Sequence, residues 1–131
     1  MKTSDNKINK TILVVEDDLD LADIMKKKLV DEGFNVAIAE RGQKALDYLK
    51  AKKPDFVLLD ILLPDIDGIT ILNEIVTHEE TKGLPVIILS NLADQGSFEQ
   101  VKAVGEYEYL VKTKTDLNEI VKKIKTKLGL N

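Results

Sequence analysis

Ile12-Leu13-Val14-Val15-Glu16-Asp17-Asp18 is the stretch that decides the fold. Four consecutive apolar residues read as a strand buried on both faces, the pattern of a parallel sheet. The acidic triplet then ends the strand abruptly. The same arrangement recurs downstream: Phe56–Leu59 runs into Asp60, Val86–Leu89 into Ser90, and Tyr107–Val111 into Lys112. In an open parallel α/β sheet the C-terminal strand ends lie along one edge, where ligands bind. Glu16, Asp17, Asp60, Ser90 and Lys112 are therefore expected in one pocket holding three carboxylates, one hydroxyl and one ammonium.

Helical spacing fills the intervals. Leu21, Ile24, Met25 and Leu29 predict a first helix that stops at Gly33. Phe34–Ala39 alternates as an edge strand would, and Ala45, Leu46 and Leu49 mark a second helix ending before Pro54. A loop with Pro64, Asp67 and Gly68 leads to a helix lined by Ile69, Leu72, Ile75 and Val76. Gly68 is expected to supply a positive φ there. Pro85 opens the fourth strand, where a missing N–H does least harm. Phe98, Val101 and Val104 mark a fourth helix. Asp116 with Glu119 forms a capping-box start to the last helix, which turns Leu117, Ile120, Val121, Ile124 and Leu128 inward. His78, the only histidine, is expected near a helix end and exposed.

Five strand–helix units predict an α/β, doubly wound (βα)5 three-layer sandwich with right-handed crossovers. Two strand orders remain open at this point, the flavodoxin-like 2-1-3-4-5 and a half-Rossmann order. The former makes strands 1 and 3 neighbours and so joins Glu16 and Asp17 to Asp60.

The chain has 131 residues, enough for one domain with a real core. Residues 1–10 are expected to be a short flexible leader and 11–131 the domain; the polar leader and the end at Asn131 favour a whole protein. The chain has no cysteine, which excludes disulfides, thiolate chemistry and Cys-based zinc sites. The start is polar with no apolar signal segment, and no apolar run approaches the roughly 20 residues of a membrane span. A cytoplasmic protein is the simplest expectation. The net charge of −4 argues against nucleic acid as the main partner. Lys26–Lys28 and Lys122, Lys123, Lys125 and Lys127 read as solvated helix faces.

Three carboxylates so close repel one another, so one is expected to hold a raised pKa unless a cation is bound. Magnesium suits such hard oxygen ligands. Asp60, at the end of a buried strand, is placed to act as a nucleophile toward phosphorus. Lys112 would add a point charge and Ser90 a hydrogen bond to the phosphoryl oxygens.

The segments ILVVEDD (Ile12–Asp18), VLLDILLPDIDG (Val57–Gly68), VIILSN (Val86–Asn91) and YEYLVK (Tyr107–Lys112) together resemble the receiver domain of bacterial two-component response regulators, the CheY-like family. The resemblance runs from about Ile12 to the end. It implies the flavodoxin-like (CheY-like) order 2-1-3-4-5. It also implies that Asp60 is the phosphoacceptor. Glu16, Asp17, Asp60 and the Leu62 backbone carbonyl would hold Mg2+. Ser90 would be the switch hydroxyl, Tyr109 the switch aromatic and Lys112 the conserved-type lysine.

Implied partners are a sensor histidine kinase or histidine phosphotransfer protein and a downstream target protein, without direct nucleic-acid or membrane contact. The implied state is a monomer or a phosphorylation-dependent homodimer. Glu106, Glu108, Lys102, Lys122 and Lys123 could pair across a dimer face made by the fourth helix, fifth strand and fifth helix. The expectation is a single-domain switch acting on a separate protein. The alternative is a relay intermediate that hands the phosphoryl group to a histidine phosphotransfer domain. A haloacid-dehalogenase-type phosphotransferase would need an aspartate where Leu62 stands, and an FMN carrier would need a hydroxyl- and glycine-rich loop where Glu16–Asp18 stands.

Two positions depart from the family pattern. Thr113 stands where a cis proline usually follows the lysine. A cis bond there would cost about 2.5–4 kcal/mol, so a trans or rearranged loop is expected. Asn91 stands where a small residue usually follows the switch hydroxyl. Leu62 and Leu92, two residues after Asp60 and Ser90, are apolar and are expected to screen the phosphoryl group from water, slowing self-hydrolysis.

Overall fold

The computed structural model describes residues 7–91 and 95–130. Five strands, β1 (Thr11–Val15), β2 (Asn35–Ala39), β3 (Phe56–Leu59), β4 (Val86–Ser90) and β5 (Glu108–Val111), alternate with five helices. The helices are α1 (Leu19–Asp31), α2 (Gly42–Ala51), α3 (Gly68–Thr77), α4 (Gln95–Val104) and α5 (Leu117–Lys127). All neighbouring strands pair in parallel, in the order β2-β1-β3-β4-β5. Of the two orders open on periodicity alone, the flavodoxin-like one holds.

Strand alternation divides the core in two. Leu13, Val15, Val57, Leu59 and Ile88 face a cluster with Ala45 of α2, Ile71, Leu72 and Ile75 of α3, and Val101 of α4. Ile12, Val14, Phe56, Leu58, Ile87 and Leu89 face Met25 and Leu29 of α1 and Ile120, Val121 and Ile124 of α5. The sheet is thus covered on both sides, which is why its central strands are apolar without a break. β2, at the edge, carries a half-exposed pattern, as its alternation predicts.

Local chemistry sets the element ends. Asp18, Asp67 and Asp116 each accept a backbone N–H at the start of α1, α3 and α5. Asp116 Oδ1 accepts from the Glu119 N–H at 2.9 Å, one half of the expected capping box. Gly33 ends α1 with φ of 107°, a conformation that favours glycine. Ile8, within the expected leader, donates its N–H to the Gly33 carbonyl at 2.8 Å and packs against the α1/α5 side. Residues 1–6 lie outside the described residues.

Two expectations are corrected. Gly68 is not among the glycines with positive φ. It is required by close approach instead: a Cβ there would lie 2.5 Å from the Asp60 carbonyl oxygen and 2.6 Å from Ile61 Cα, both backbone. Ile24 is half exposed, and the inward face of α1 is Ala22, Met25 and Leu29. The helical spacing counted one residue too far around the helix.

The tail lysines do more than solvate α5. Lys125 Nζ lies 2.8 Å from Glu32 Oε1, and Lys28 lies 3.5 Å from the same carboxylate, so α5 is tied to the end of α1. The Lys125 hydrogen bond is the main reason the Glu32 carboxyl is held below its ordinary 4.5. A lowered carboxyl pKa contributes stability above the unfolded value and loses it as pH falls through the native one. Glu32→Gln is expected to cost about 0.5–1 kcal/mol at pH 7, measured by urea denaturation. The difference from wild type should vanish in acid below the native value, and a difference that persists there would refute this assignment.

Candidate functional site

The parallel register brings the C-terminal ends of β1, β3, β4 and β5 to one edge. Val15 pairs with Leu59, Leu59 with Ile88, and Ser90 with Val111. The residues at and just beyond these pairs line a cavity of about 440 Å³: Glu16, Asp17, Asp60, Ser90 and Lys112 are all there, with Leu62, Asn91 and Thr113 at its sides. The five residues expected in one pocket do meet.

Glu16, Asp17 and Asp60 offer carboxylate oxygens within 4.8 Å of one another. Glu16 and Asp60 are 2% and 5% exposed, whereas Asp17 is open to solvent. Asp60 is fixed by its backbone, whose N–H donates to the Val15 carbonyl at 3.1 Å. Its Oδ1 accepts from the Leu62 N–H at 3.1 Å, and its Oδ2 from Lys112 Nζ at 2.8 Å. Lys112 also reaches Glu16 Oε1 at 2.5 Å, and Glu16 Oε2 accepts the Asp18 N–H at 3.1 Å. One ammonium thus bridges the two buried carboxylates.

The site's electrostatics follow. Burial pushes the Glu16 carboxyl above 4.5, helped by the Asp60 charge and opposed by its bonds to Lys112 and Asp18. The carboxylate with the raised pKa is therefore Glu16, and desolvation outweighs repulsion as its cause. Burial pulls the Lys112 ammonium the other way, toward neutrality, but its bonds to Asp60 and Glu16 outweigh this and leave its pKa above 10.5. Lys112 is charged at neutral pH.

The donor set is chemically suited to a hard divalent cation. It consists of carboxylate oxygens, carries excess negative charge after Lys112 is counted, and opens to solvent at Asp17. Glu16, Asp17 and Asp60 could hold such an ion, and the loop carrying Leu62 starts beside them.

Ser90 is fully buried at the end of β4. Tyr109 stands apart from the cavity lining. Lying on β5, it pairs with Ile88 of β4 and meets Phe98 of α4 edge-to-face, with centroids 5.9 Å apart and planes at 74°. Lys102 lies 5.8 Å over the Phe98 ring. Phe98 is therefore the neighbour that the sequence does not reveal: its spacing marks it only as a helix-face residue, and nothing local announces Tyr109 as its partner. Glu108, offered for a dimer face, pairs within the chain with Lys123 at 3.1 Å and Lys127 at 3.7 Å.

The Lys112–Thr113 bond is trans. Lys112–Lys114 instead form a short 3-10 turn, and Lys112 still reaches both carboxylates. The Leu62 side chain is 55% exposed near the cavity. Leu92 lies outside the described residues. His78 is exposed at the end of α3, as expected, with Nδ1 2.8 Å from the Glu74 carbonyl oxygen.

Comparison with known proteins gives a consistent result. The family described as response regulator receiver domain matches residues 12–125. A solved putative response regulator from Chloroflexus aurantiacus is 31% identical, with a TM-score of 0.84 over 93% of this chain and 99% of that one. A CheY-like receiver domain protein from Methanospirillum hungatei is 29% identical, with a TM-score of 0.85 over 93% and 95%. The DNA-binding response regulator MtrA of Mycobacterium leprae is 31% identical over 120 residues, 92% of this chain and 52% of that protein. The chain spans a third to about half the length of the curated relatives it matches.

Lys112→Met tests the bridging ammonium. Removing it leaves buried carboxylates uncompensated, and the variant is expected to lose about 3 kcal/mol of stability in the absence of divalent cation. Added magnesium should stabilise the variant more than wild type, because the cation takes over the compensation. Equal stability of the two proteins in chelator would show that the bridge is not what balances these charges.

Proposed function

The chain belongs to the response regulator receiver domain family of two-component signalling, and from that premise we propose that it accepts a phosphoryl group on Asp60 and signals by binding another protein. The observation that carries this is the position of Asp60: a buried strand-end carboxylate, 2.8 Å from Lys112 and within 4.8 Å of two further carboxylates. Phosphoryl transfer needs mostly positioning and charge stabilisation, and these groups supply both.

The donor is a phosphohistidine of a sensor kinase or phosphotransfer protein, or a small acyl phosphate. An Asp60 carboxylate oxygen attacks phosphorus. The bond from phosphorus to the histidine nitrogen breaks, and its electron pair returns to the imidazole, which then takes a proton. Glu16, Asp17, Asp60 and the Leu62 carbonyl would hold Mg2+, which when bound offsets charge on the phosphoryl oxygens. As Asp60 becomes a neutral acyl group on its carbonyl side, Lys112 exchanges that carboxylate for a phosphoryl oxygen. Ser90 donates its hydroxyl to another. Movement of Ser90 frees space toward which Tyr109 turns, and this alters the surface of α4, β5 and α5. The switch is a two-state equilibrium biased by a local charge.

The partners are then a histidine kinase and a separate target protein in the cytoplasm. No helix among the described residues is long and apolar enough to cross a membrane. The net charge of −4 does not favour DNA as a direct ligand of this chain. The protein is a monomer, or dimerises on phosphorylation through the α4–β5–α5 surface.

Intact mass after incubation with magnesium and acetyl phosphate is the deciding measurement. One phosphoryl adduct is expected on wild type and none on Asp60→Asn. An adduct on both proteins would move the acceptor elsewhere. Onward transfer of the adduct then separates two roles. The apolar Leu62 predicts a lifetime well beyond seconds; a long-lived adduct that transfers readily to a histidine phosphotransfer domain would favour the relay role instead of the switch.

A further inference from the structure

Helix α2 has no cap of its own. Arg41, at its N-cap position, makes no side-chain bond to the helix, and its first turn holds no acid. The first N–H groups of the helix are met instead from another part of the chain. Asp65 Oδ1 accepts from the Gly42 N–H at 2.7 Å, and Oδ2 from the Gln43 N–H at 2.9 Å. This contact is charge-assisted, uses both carboxylate oxygens and sits on the positive end of the helix dipole. The Gln43 N–H, with that of Gly42, holds the Asp65 carboxyl below its ordinary 3.8.

Gly42 makes the approach possible. A Cβ there would lie 2.7 Å from Ile66 Cβ and 3.2 Å from Ile71 Cδ1. The loop being approached is the one between β3 and α3, which begins at Asp60 and carries Leu62. Residues 61–67 are neither helix nor strand, so the course of the loop depends on point ties. Its two ends are tied to the loop itself: the Leu62 N–H donates to Asp60 Oδ1, and the Gly68 N–H to the Ile61 carbonyl at 2.8 Å. Asp65 ties the middle to a different element, α2.

We infer that Asp65 is a positioning residue for the acidic site: by clamping the β3–α3 loop to the start of α2 it fixes the segment bearing the Leu62 backbone, and so sets the affinity for magnesium. This rests on the site function proposed above. The plainer account is a helix cap borrowed from a neighbouring loop, which would affect stability alone.

Calorimetric titration with magnesium, paired with thermal melting, separates the two. Asp65→Ala and Gly42→Ala break the same clamp from opposite sides, one by removing the carboxylate and one by pushing Ile66 away. Each is expected to weaken magnesium binding about tenfold, the scale seen when groups that orient metal ligands are removed. Asp65→Asn, which keeps one acceptor oxygen, should lose less. Glu32→Gln loosens the α1–α5 tie at the end of α1 opposite the acidic site, and should lower Tm while leaving the magnesium Kd unchanged. Wild-type magnesium affinity in Asp65→Ala and Gly42→Ala, with Tm lowered as in Glu32→Gln, would overturn the inference and leave Asp65 a cap. If Asp65→Ala does not fold, Gly42→Ala and Asp65→Asn decide the matter by the same readout. Wild type that takes up no magnesium would instead sink the site function itself, and the inference with it.

Discussion

The structure depends on one compensated charge arrangement: Lys112 Nζ set between the buried carboxylates of Glu16 and Asp60. Isolated carboxylates at 2% and 5% exposure would be costly to bury. The ammonium reaches them from β5, across β4 and β3, so four strands must hold their register for the charges to balance. The acidic site is therefore not an ornament on a finished fold. Its electrostatics constrain the sheet, and a divalent cation held there would share that compensation.

The hydrophobic layers make this geometry rigid. Both faces of the sheet are covered, and β1, β3 and β4 are apolar nearly throughout. Close packing gives such an interior low compressibility, so the strand ends are held where the core puts them. The polar residues sit at those ends. Tyr109 is the exception, placed on β5 among partly buried neighbours and against Phe98. That position couples the sheet edge to α4 by ring packing.

Much of this was legible in the chain. The strand ends at Glu16, Asp60 and Ser90 could be read because a buried parallel strand is a short apolar run and its first polar residue marks its exit. The caps Asp67 and Asp116 follow from local preference. Gly68 was legible as a necessary glycine but not for its reason, because contact with the Asp60 and Ile61 backbone depends on how α3 docks. Ile24 misled because helical spacing alone does not fix the rotation of a helix to better than one residue. The pairings of Lys125 with Glu32 and of Lys123 with Glu108 read as solvated charge, since nothing local names a partner 93 or 15 residues away.

Sequence by itself determined the element order, the two-sided burial of the sheet and the membership of the acidic pocket, because periodicity and strand exits are local properties of the chain. Tertiary structure decided which charges compensate one another, that burial more than repulsion raises the Glu16 pKa, and that Asp65 supplies the cap α2 lacks. Those outcomes depend on distances between residues 20 to 100 positions apart. Coulomb energy, desolvation and hydrogen bonding all turn on such distances, and only the packed sheet sets them.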